Sequence, residues 1–464
     1  MATTEMETHL KALTDSLENS ITNAQQNGEI QQHEETYYRN AVKGDPDTPV
    51  GTSWQSQNLY ITRLEWPSQS IHFILDKIKK TDNYQKTLNI GVTWVGNDHS
   101  GGCNFQTYLD QFLMALISKR LSEGQLSSEY IAQKIVIFMK EVQGQPINYT
   151  AIVELDGLKV DVPRIALTID EMGVLLRPVL NKDLERECRL DALPFQIKDP
   201  LQTPMAILEI QKTVSWPNQI QVETDKIQTL LSLYCVVSLR DLCTRFESDS
   251  FSPISRGVLH SGVMKKSSLH KGTLQENDIE PLKRFVDLFY SKLPQNIYDA
   301  SPLKKDDFLA IAHQRYCDAL LEGGIIEKRI ATIVMGLESL LLFESQEVSY
   351  RFRKRGAKIL GLLIDSPSTE IQTVLKEAYN IRSTFVHGEH LSSKSKEKII
   401  SKLPALESLE DMEKQLLDYL RKLLVVYIGT NKAKQELMAL VDDALIEDSK
   451  SLELSEFMKE YKVF

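Results

Sequence analysis

The segment SPSTEIQTVLKEAYNIRSTFVHG, residues 366–388, decides the fold class of the second half of the chain. It begins with Ser366 and Pro367, residue types that cap a helix and occupy its first turn, and it ends at Gly388, a residue typical of the position just after a helix. Between these ends, apolar residues recur at helical spacing, at Ile371, Val374, Leu375, Ala378, Ile381 and Phe385. The segment therefore predicts one amphipathic helix over residues 368–387.

Helical patterns of the same kind follow one another from about residue 276, and no stretch typical of a strand interrupts them. The predicted helices cover residues 276–293, 303–322, 325–344, 346–364, 368–387, 406–429, 431–446 and 452–461. We therefore predict that residues 276–464 form an all-α domain, a helical bundle.

Residues 54–275 mix strand and helix patterns, which predicts an α+β domain with several β-strands. The stretches NLYITRLEW (58–66) and KIVIFMKEV (134–142) are rich in β-branched and aromatic residues and predict strands. ELDGLKV (154–160) places Asp-Gly between apolar runs, which predicts a hairpin turn. TDKIQTLLSLYCVVSLRDLCTRF (224–246) predicts a long apolar helix.

The first 53 residues are polar and predict an N-terminal arm. A short helix is expected around residues 5–20, because Met6, Leu10 and Leu13 recur at helical spacing. Residues 25–53 are rich in polar residues, glycine and proline and predict a loop.

The composition is ordinary for a globular protein, with 464 residues, 42% of them hydrophobic and 25% charged. The formal net charge of -10 excludes a globally basic nucleic-acid-binding protein but leaves room for a local basic patch. No run reaches the roughly 18 apolar residues of a membrane span, and the first residues lack a secretory signal, so we expect a cytoplasmic protein with no membrane partner. Five scattered cysteines without a CxxC motif predict reduced thiols.

Two short motifs suggest ligand sites and have simpler interpretations. GNDHSGGC (96–103) has the glycine spacing of a phosphate-binding loop, but Gly102 and Cys103 stand where its lysine and its serine or threonine would be, which favours a structural loop. HGEH (387–390) places two histidines three residues apart, yet Gly388 is expected to end the helix between them and no further ligands are evident. We therefore predict no metal and no cofactor.

A basic cluster occupies YRFRKRGAK, residues 350–358. Its members are Arg351, Arg353, Lys354, Arg355 and Lys358. Two interpretations stay open: a solvated helix face, or a patch that contacts phosphate, since guanidinium groups pair well with phosphate oxygens.

Arg382 and His387 stand near the end of the helix predicted over 368–387. Arg382 falls beside the apolar stripe, where a charged residue needs a partner or a water-lined cleft. His387 follows five residues later, which on a regular helix turns the two side chains about 140° apart. The simplest interpretation is a histidine that favours the helix C-terminal dipole and an unrelated arginine.

Residues 303–430 resemble the HEPN superfamily, specifically its Apea-like group. The resemblance follows four blocks in order: FLAIAHQRYCDALLE (308–322), KRIATIVMGLESLLLFES (328–345), EVSYRFRKRGAKILGLL (347–363) and LKEAYNIRSTFVHGEH (375–390). The last block is the most specific, because it has the family's signature of tyrosine, arginine, a small polar residue, apolar residues and His-Gly. The four blocks lie in a little over a quarter of the chain.

The resemblance implies a dimeric helical bundle and, for many members, metal-independent endoribonuclease activity with the motif R-x4-6-H. Arg382, Ser383 and His387 match that motif, so by resemblance Arg382 and His387 would be the catalytic pair. Ser383 would position Arg382 or contact RNA. Glu338 would orient Arg382, unless it is only an acid on a helix surface. The basic residues of 350–358 would contact the RNA backbone.

The function expected from this resemblance is RNA cleavage by a homodimer, as a toxin-like or anti-phage defence effector. Residues 54–275 would then sense a trigger or restrain the nuclease. The alternative is a non-catalytic HEPN module that binds RNA or protein or mediates dimerisation.

Overall fold

Helices and strands mix up to residue 274, and helices alone follow, in the described part of the computed structural model. The structure describes residues 2–50, 55–90, 94–95, 103–189, 204–215, 217–248, 250–251, 258–260, 271–298, 307–321, 324–343, 346–364, 366–430 and 432–462. Its first elements are α1 (Ala2–Gln26), β1 (His33–Val42), β2 (Ser56–Glu65), α2 (Ser68–Lys79), α3 (Asp82–Leu88), β3 (Trp94–Val95), β4 (Cys103–Asn104), α4 (Phe105–Glu123), α5 (Ser128–Val142), β5 (Ile147–Asp156), β6 (Leu158–Val160), β7 (Ile165–Ile169), β8 (Met172–Pro178), β9 (Arg186–Arg189), β10 (Ala206–Val214), α6 (Pro217–Cys235), β11 (Arg240–Ser248) and β12 (Val258–His260).

The later elements are β13 (Gly272–Leu274), α7 (Ile279–Phe289), α8 (Gln295–Tyr298), α9 (Phe308–Leu321), α10 (Ile326–Leu341), α11 (Val348–Leu363), α12 (Ser368–Val386), α13 (Ser393–Ile400), α14 (Leu409–Gly429), α15 (Lys434–Asp443) and α16 (Asp448–Met458). The helical series predicted from residue 276 onward is thus confirmed for the described residues, with α8 and α13 as short additions. No described helix is both long enough and apolar enough to cross a membrane.

The chain divides into two compact units. Unit 1 comprises Met1–Asp156, Val162–Thr224 and Asp241–Ser261, and unit 2 comprises Gly157–Asp161, Asp225–Arg240 and Gly262–Phe464. The boundary predicted near residue 275 therefore differs from the structural one, because two short pieces of the middle region belong to unit 2. One of these pieces contains β6, which belongs to unit 2 because it pairs in parallel with β13.

The N-terminal residues are part of unit 1, where we predicted a polar arm. The helix expected around 5–20 is present and longer, and α1 buries Leu10, Leu13, Leu17 and Ile21 completely in a core shared with α2 to α5. The loop predicted over 25–53 is wrong for residues 33–42, which form β1 and pair antiparallel with β2 along its whole length. The sequence of β1 shows no alternation of apolar and polar residues, because most of its side chains are exposed or half-buried.

The main sheet of unit 1 has the strand order β12-β11-β5-β10-β8-β7. β10 pairs antiparallel with β5 on one side and β8 on the other. A second sheet has the order β2-β1-β9. Strand β2 confirms the prediction from NLYITRLEW, and the α+β character of unit 1 is confirmed.

Three local predictions in the middle region are wrong. KIVIFMKEV belongs to helix α5, which begins already at Ser128, after the N-cap Ser127, whose hydroxyl accepts from the Tyr130 N–H. The Asp-Gly turn at Gly157 is present with a positive φ of 97°, but it joins strands of different sheets and makes no hairpin. The helix predicted over 224–246 ends at Cys235, and the chain continues as strand β11.

Helix α10 is the centre of the bundle in unit 2 and contacts α9, α12 and α14. Leu337, Leu340 and Leu341 are completely buried on it. Gly336 permits the close approach of α14, because a Cβ at that position would lie 2.8 Å from Leu420 Cδ2. Since α12 packs on both α10 and α11, polar groups near its C-terminal end are brought close to those of α10.

Candidate functional site

Arg382 on α12 reaches across to Glu338 on α10. The Arg382 Nη2 to Glu338 Oε2 distance is 3.3 Å, with side chains 28% and 16% exposed. The Arg382 guanidinium also lies 5.9 Å from the ring centre of Tyr379, about one turn earlier on the same helix. These contacts place an arginine and a carboxylate in a half-buried setting between two packed helices.

Burial governs the electrostatics of this pair. Loss of hydration raises the pKa of Glu338 above its ordinary value, although the nearby Arg382 charge acts in the opposite direction. Arg382 Nε is shielded from solvent and has no hydrogen-bond partner among the described residues. The guanidinium is therefore paired with one carboxylate, and its Nε–H donor is not used within the described residues.

Helix α12 ends as the sequence predicts, and this ending sets the position of His387. Gly388 has a positive φ of 81°, its N–H donates to the Phe385 carbonyl at 3.0 Å, and the Glu389 N–H donates to the Thr384 carbonyl at 3.1 Å. This pattern is a Schellman motif, which closes a helix through a left-handed glycine. His387 is the last residue before that glycine and its side chain is exposed.

The predicted site residues are brought together only in part. Glu338 meets Arg382, as the resemblance implied. The His387 N–H donates to the Ser383 carbonyl at 3.1 Å, so the helix stays regular between the two motif residues. On a regular helix Arg382 and His387 therefore point about 140° apart. Within one chain, His387 is not placed on the Arg382 side of α12.

The basic cluster of α11 is not a single exposed patch. Arg355 is only 1% exposed, and its guanidinium donates to both carboxylate oxygens of Asp442, at 2.9 and 2.7 Å, and to the Leu341 carbonyl at 3.0 Å. Arg355 is therefore part of the interior and is not available to RNA in this conformation, contrary to the prediction. The sequence pattern missed this because Arg355 lies beside the buried Phe352 on the core-facing side of α11.

The other basic residues of α11 are half-buried. Arg353 Nε donates to the Ser349 carbonyl at 2.9 Å, and Lys358 Nζ donates to Ser451 Oγ at 2.7 Å. Lys354 Nζ lies 5.9 Å from the ring centre of Tyr350, and Arg351 Nε lies 3.6 Å from Glu347 Oε2. The two interpretations of this cluster therefore remain open for these four residues.

No group of three or more His, Cys, Asp or Glu side chains in the described residues is arranged to hold a metal ion. Cys103, Cys235, Cys243 and Cys317 are free thiols. The glycine-rich motif at 96–102, discussed as a phosphate loop, lies outside the described residues.

Sequence reasoning missed a cavity between α12, the loop after α13 and α14, whose lining includes Gln415 and Tyr419. Tyr419 is a buried residue of α14, where a tyrosine is typical of the core. The available signal was weak, since only the tertiary packing brings these elements together around the cavity.

Replacing Glu338 with glutamine is expected to remove a pH-dependent contribution to stability. Because the folded-state pKa of Glu338 is raised, its ionised form destabilises the folded protein at neutral pH, and this loss is recovered as the pH falls through the raised pKa. The wild type should therefore gain stability relative to Glu338→Gln as the pH falls from neutral towards the ordinary pKa of a glutamate, measured by urea unfolding. Glu389→Gln, at an exposed position, is the control, and identical pH dependence in the wild type and Glu338→Gln would contradict the expectation.

The features of unit 2 that point to a function are the Arg382–Glu338 pair and the exposed His387 at the end of the same helix. No model of a known protein family, no curated protein and no solved structure matches this chain.

Proposed function

We propose that this chain is a metal-independent endoribonuclease of the HEPN type, with Arg382 and His387 as its catalytic residues. The observation that carries the proposal is the Arg382–Glu338 ion pair, because it holds the motif arginine between two helices while leaving donor capacity unused. The resemblance names Glu338 as the acid that orients Arg382, and Glu338 is the acid that contacts it. If the match to the motif were accidental, this contact would not be expected.

Arginine suits the stabilisation of a phosphate whose negative charge increases during reaction. Its guanidinium stays charged at all relevant pH values and offers a planar fork of donors. Glu338 contacts the guanidinium only through Nη2 at 3.3 Å and Nε has no partner, so donors remain for a phosphate oxygen. Glu338 acts as a positioning residue in this scheme, and Ser383 lies next to the arginine on the same turn.

Histidine suits the proton transfers. The RNA 2′-hydroxyl attacks the adjacent phosphorus while His387 accepts its proton, the bond from phosphorus to the 5′-oxygen breaks, and His387 passes the proton on to the leaving oxygen. The products are a 2′,3′-cyclic phosphate and a 5′-hydroxyl. No metal ion enters the scheme.

A second copy of the chain completes the proposed site. Arg382 and His387 of one helix point about 140° apart, so one chain does not direct both at one phosphate. A twofold axis near the end of α12 would set His387 of each copy opposite Arg382 of the other. We propose a homodimer through unit 2 on this ground, with Arg351, Arg353, Lys354 and Lys358 as candidates for RNA backbone contacts.

We further propose that the enzyme is a toxin-like or anti-phage defence effector in the cytoplasm, with unit 1 as a sensing or restraining part. The test of the nuclease itself is direct. Purified protein is incubated with RNA in EDTA, and the ends of the products are mapped. Fragments with 2′,3′-cyclic phosphates support the proposal, whereas intact RNA or 3′-hydroxyl ends contradict it.

The second candidate is a non-catalytic HEPN module that binds RNA or protein. The exposure of His387 and its angular separation from Arg382 favour this alternative if unit 2 is monomeric. Sedimentation analysis distinguishes the two candidates, because the nuclease proposal requires a dimer at the concentration at which RNA is cut.

A further inference from the structure

Helix α13, the short basic helix that follows α12, has a docked side and an exposed side. Its sequence, SKSKEKII, contains three lysines and one acid, and Ile399 is its buried residue. On a regular helix Lys396 and Ile399 lie about 60° apart, so both belong to the docked side. Because a single apolar side chain is buried on α13, charged contacts contribute much of what holds this helix against unit 2.

Two lysines bind α13 and the residues after it to buried carboxylates. Lys396 Nζ lies 2.8 Å from Glu327 Oε1 on α10, and Lys402 Nζ donates to Glu377 Oε1 on α12 at 3.0 Å. Both glutamate side chains are only 3% exposed. A buried carboxylate is costly without a cationic partner. The charges of these two lysines are therefore used within the fold.

The exposed side of α13 carries the other two lysines of the helix. Lys394 and Lys398 are four residues apart, which makes their side chains neighbours, and each lies about 160° around the helix from Lys396. Both are exposed, and neither forms an ion pair or a side-chain hydrogen bond within the described residues. Glu397, the acid of α13, is exposed and about 60° from Lys394. This side therefore presents two adjacent positive charges without an acidic partner.

Glu327 shows that α13 lies close to the proposed catalytic histidine. Burial raises the pKa of Glu327, but the hydrogen bond from Lys396 and the charges of Lys396 and His390 bring this pKa below its ordinary value. His390 and Lys396 are therefore neighbours of the same carboxylate. His387 is three residues before His390, and Lys394 is two residues before Lys396. Since three residues span at most about 11 Å, the exposed lysines lie in the neighbourhood of His387.

Exposed lysines without an acidic partner suit phosphate groups, which an ammonium binds as a point charge. A chain with a net charge of -10 attracts a polyanion only where its cations are concentrated. We propose that Lys394 and Lys398 bind phosphates of the RNA backbone next to the cut, while Lys396 and Lys402 hold α13 in position. This assignment rests on the proposed function. Backbone contacts of this kind position the strand and read no sequence.

The binding test uses the full chain with His387→Ala, so that cleavage does not interfere. A labelled single-stranded RNA of mixed sequence is titrated by fluorescence anisotropy at several salt concentrations. Adding Lys394→Gln and Lys398→Gln should weaken binding by at least about tenfold at 0.1 M salt. The slope of log affinity against log salt should fall by about 1.4, because each phosphate contact on a single strand contributes about 0.7. Unchanged affinity or an unchanged slope would overturn the proposal, and so would a parent protein that binds no RNA.

The matched control removes the same two charges elsewhere in unit 2. Lys283 and Lys432 are paired with Glu280 at 3.0 Å and with Glu436 at 2.8 Å on exposed helix surfaces. Lys283→Gln with Lys432→Gln should leave both the affinity and the salt slope unchanged. An equal loss in this control would show that net charge alone governs binding, which contradicts a contact at α13.

Melting temperatures test the two sides of α13 separately. Lys396→Gln should melt earlier than the wild type, because it leaves the buried Glu327 carboxylate without its lysine. Lys394→Gln and Lys398→Gln should melt with the wild type, since their side chains have no partner to lose. Glu397→Gln should tighten RNA binding, because it removes a negative charge beside Lys394. Earlier melting in Lys398→Gln, or no change in Lys396→Gln, would contradict the assignment of the sides.

An anionic membrane surface would attract the same lysines, and the proximity of His387 favours RNA. Vesicles that contain phosphatidylserine are therefore titrated with the same proteins at the same salt concentrations. Vesicle binding that depends on Lys394 and Lys398, without RNA binding, would overturn the proposal in favour of a membrane contact. Because every titration uses a protein without His387, its outcome is independent of RNA cleavage by the wild type, which the EDTA experiment tests.

Discussion

Arg382→Ala and His387→Ala are each expected to lower the rate of RNA cleavage by about 10²- to 10⁴-fold. Loss of a positioned proton-transfer group costs about this factor, and loss of a charged group that stabilises the reacting phosphate costs a similar one. In a dimer that joins His387 of one copy to Arg382 of the other, the two variants should restore cleavage when mixed, because one of the two composite sites then regains both residues. This complementation tests the dimer and the chemistry together.

His390→Ala is the matched control, because His390 is an exposed histidine three residues beyond His387 in the same HGEH sequence. It should cut RNA at the wild-type rate. The cellular counterpart is to express the wild type and His387→Ala and to sequence RNA ends. If the purified wild type, Arg382→Ala and His387→Ala cut RNA equally in EDTA, the nuclease proposal fails.

The α12 region shows how far the sequence predicts this protein. Both the ends of α12 and its apolar stripe follow from local rules, and Gly388 adopts the left-handed conformation that those rules require. The Arg382–Glu338 contact was implied only by resemblance, because two residues 44 positions apart have no local signal that joins them. Packing of α10 on α12 creates the contact.

Errors in the first half of the chain have a common physical origin. A short apolar run such as KIVIFMKEV suits a buried strand and a buried helix equally, and the capping hydroxyl of Ser127 decided in favour of the helix. Strand β1 was missed for the opposite reason, since its polar side chains give no alternation and its stability depends on pairing with β2 and β9. In both cases the deciding interaction lies outside the stretch that was interpreted.

Arg355 represents a different failure of sequence reasoning. Three basic residues stand in a row at positions 353–355, and sequence alone does not say which of them faces the core. The structure shows that Arg355 lies inside with Asp442 and the Leu341 carbonyl as acceptors. Burying a guanidinium is costly unless an acidic partner accepts from it, so the pairing with Asp442, 87 positions away, is expected to stabilise this part of unit 2.

Asp442→Ala is accordingly expected to destabilise unit 2 by about 3 kcal/mol, because it removes the carboxylate that accepts two hydrogen bonds from the buried Arg355 guanidinium. This is the lower end of the range for breaking a buried ion pair, chosen because the Asp442 side chain is 40% exposed and water reaches it. The measurement is urea unfolding followed by a probe in unit 2. Glu436→Ala breaks a solvent-exposed ion pair with Lys432 and should leave the unfolding midpoint unchanged.

Arg355→Met separates the cost of an unpaired charge from the loss of the interaction itself. Methionine fills much of the apolar space of the arginine stem, and the half-exposed Asp442 that remains is hydrated, so this variant should be clearly more stable than Asp442→Ala.

The Arg355→Met protein should also bind RNA as tightly as the wild type, whereas Arg353→Ala should weaken RNA binding if α11 contacts the RNA backbone. Equal destabilisation by Arg355→Met and Asp442→Ala would show that the pair itself, and not the uncompensated charge, stabilises unit 2. Weaker RNA binding by the folded Arg355→Met protein would show that Arg355 contacts RNA.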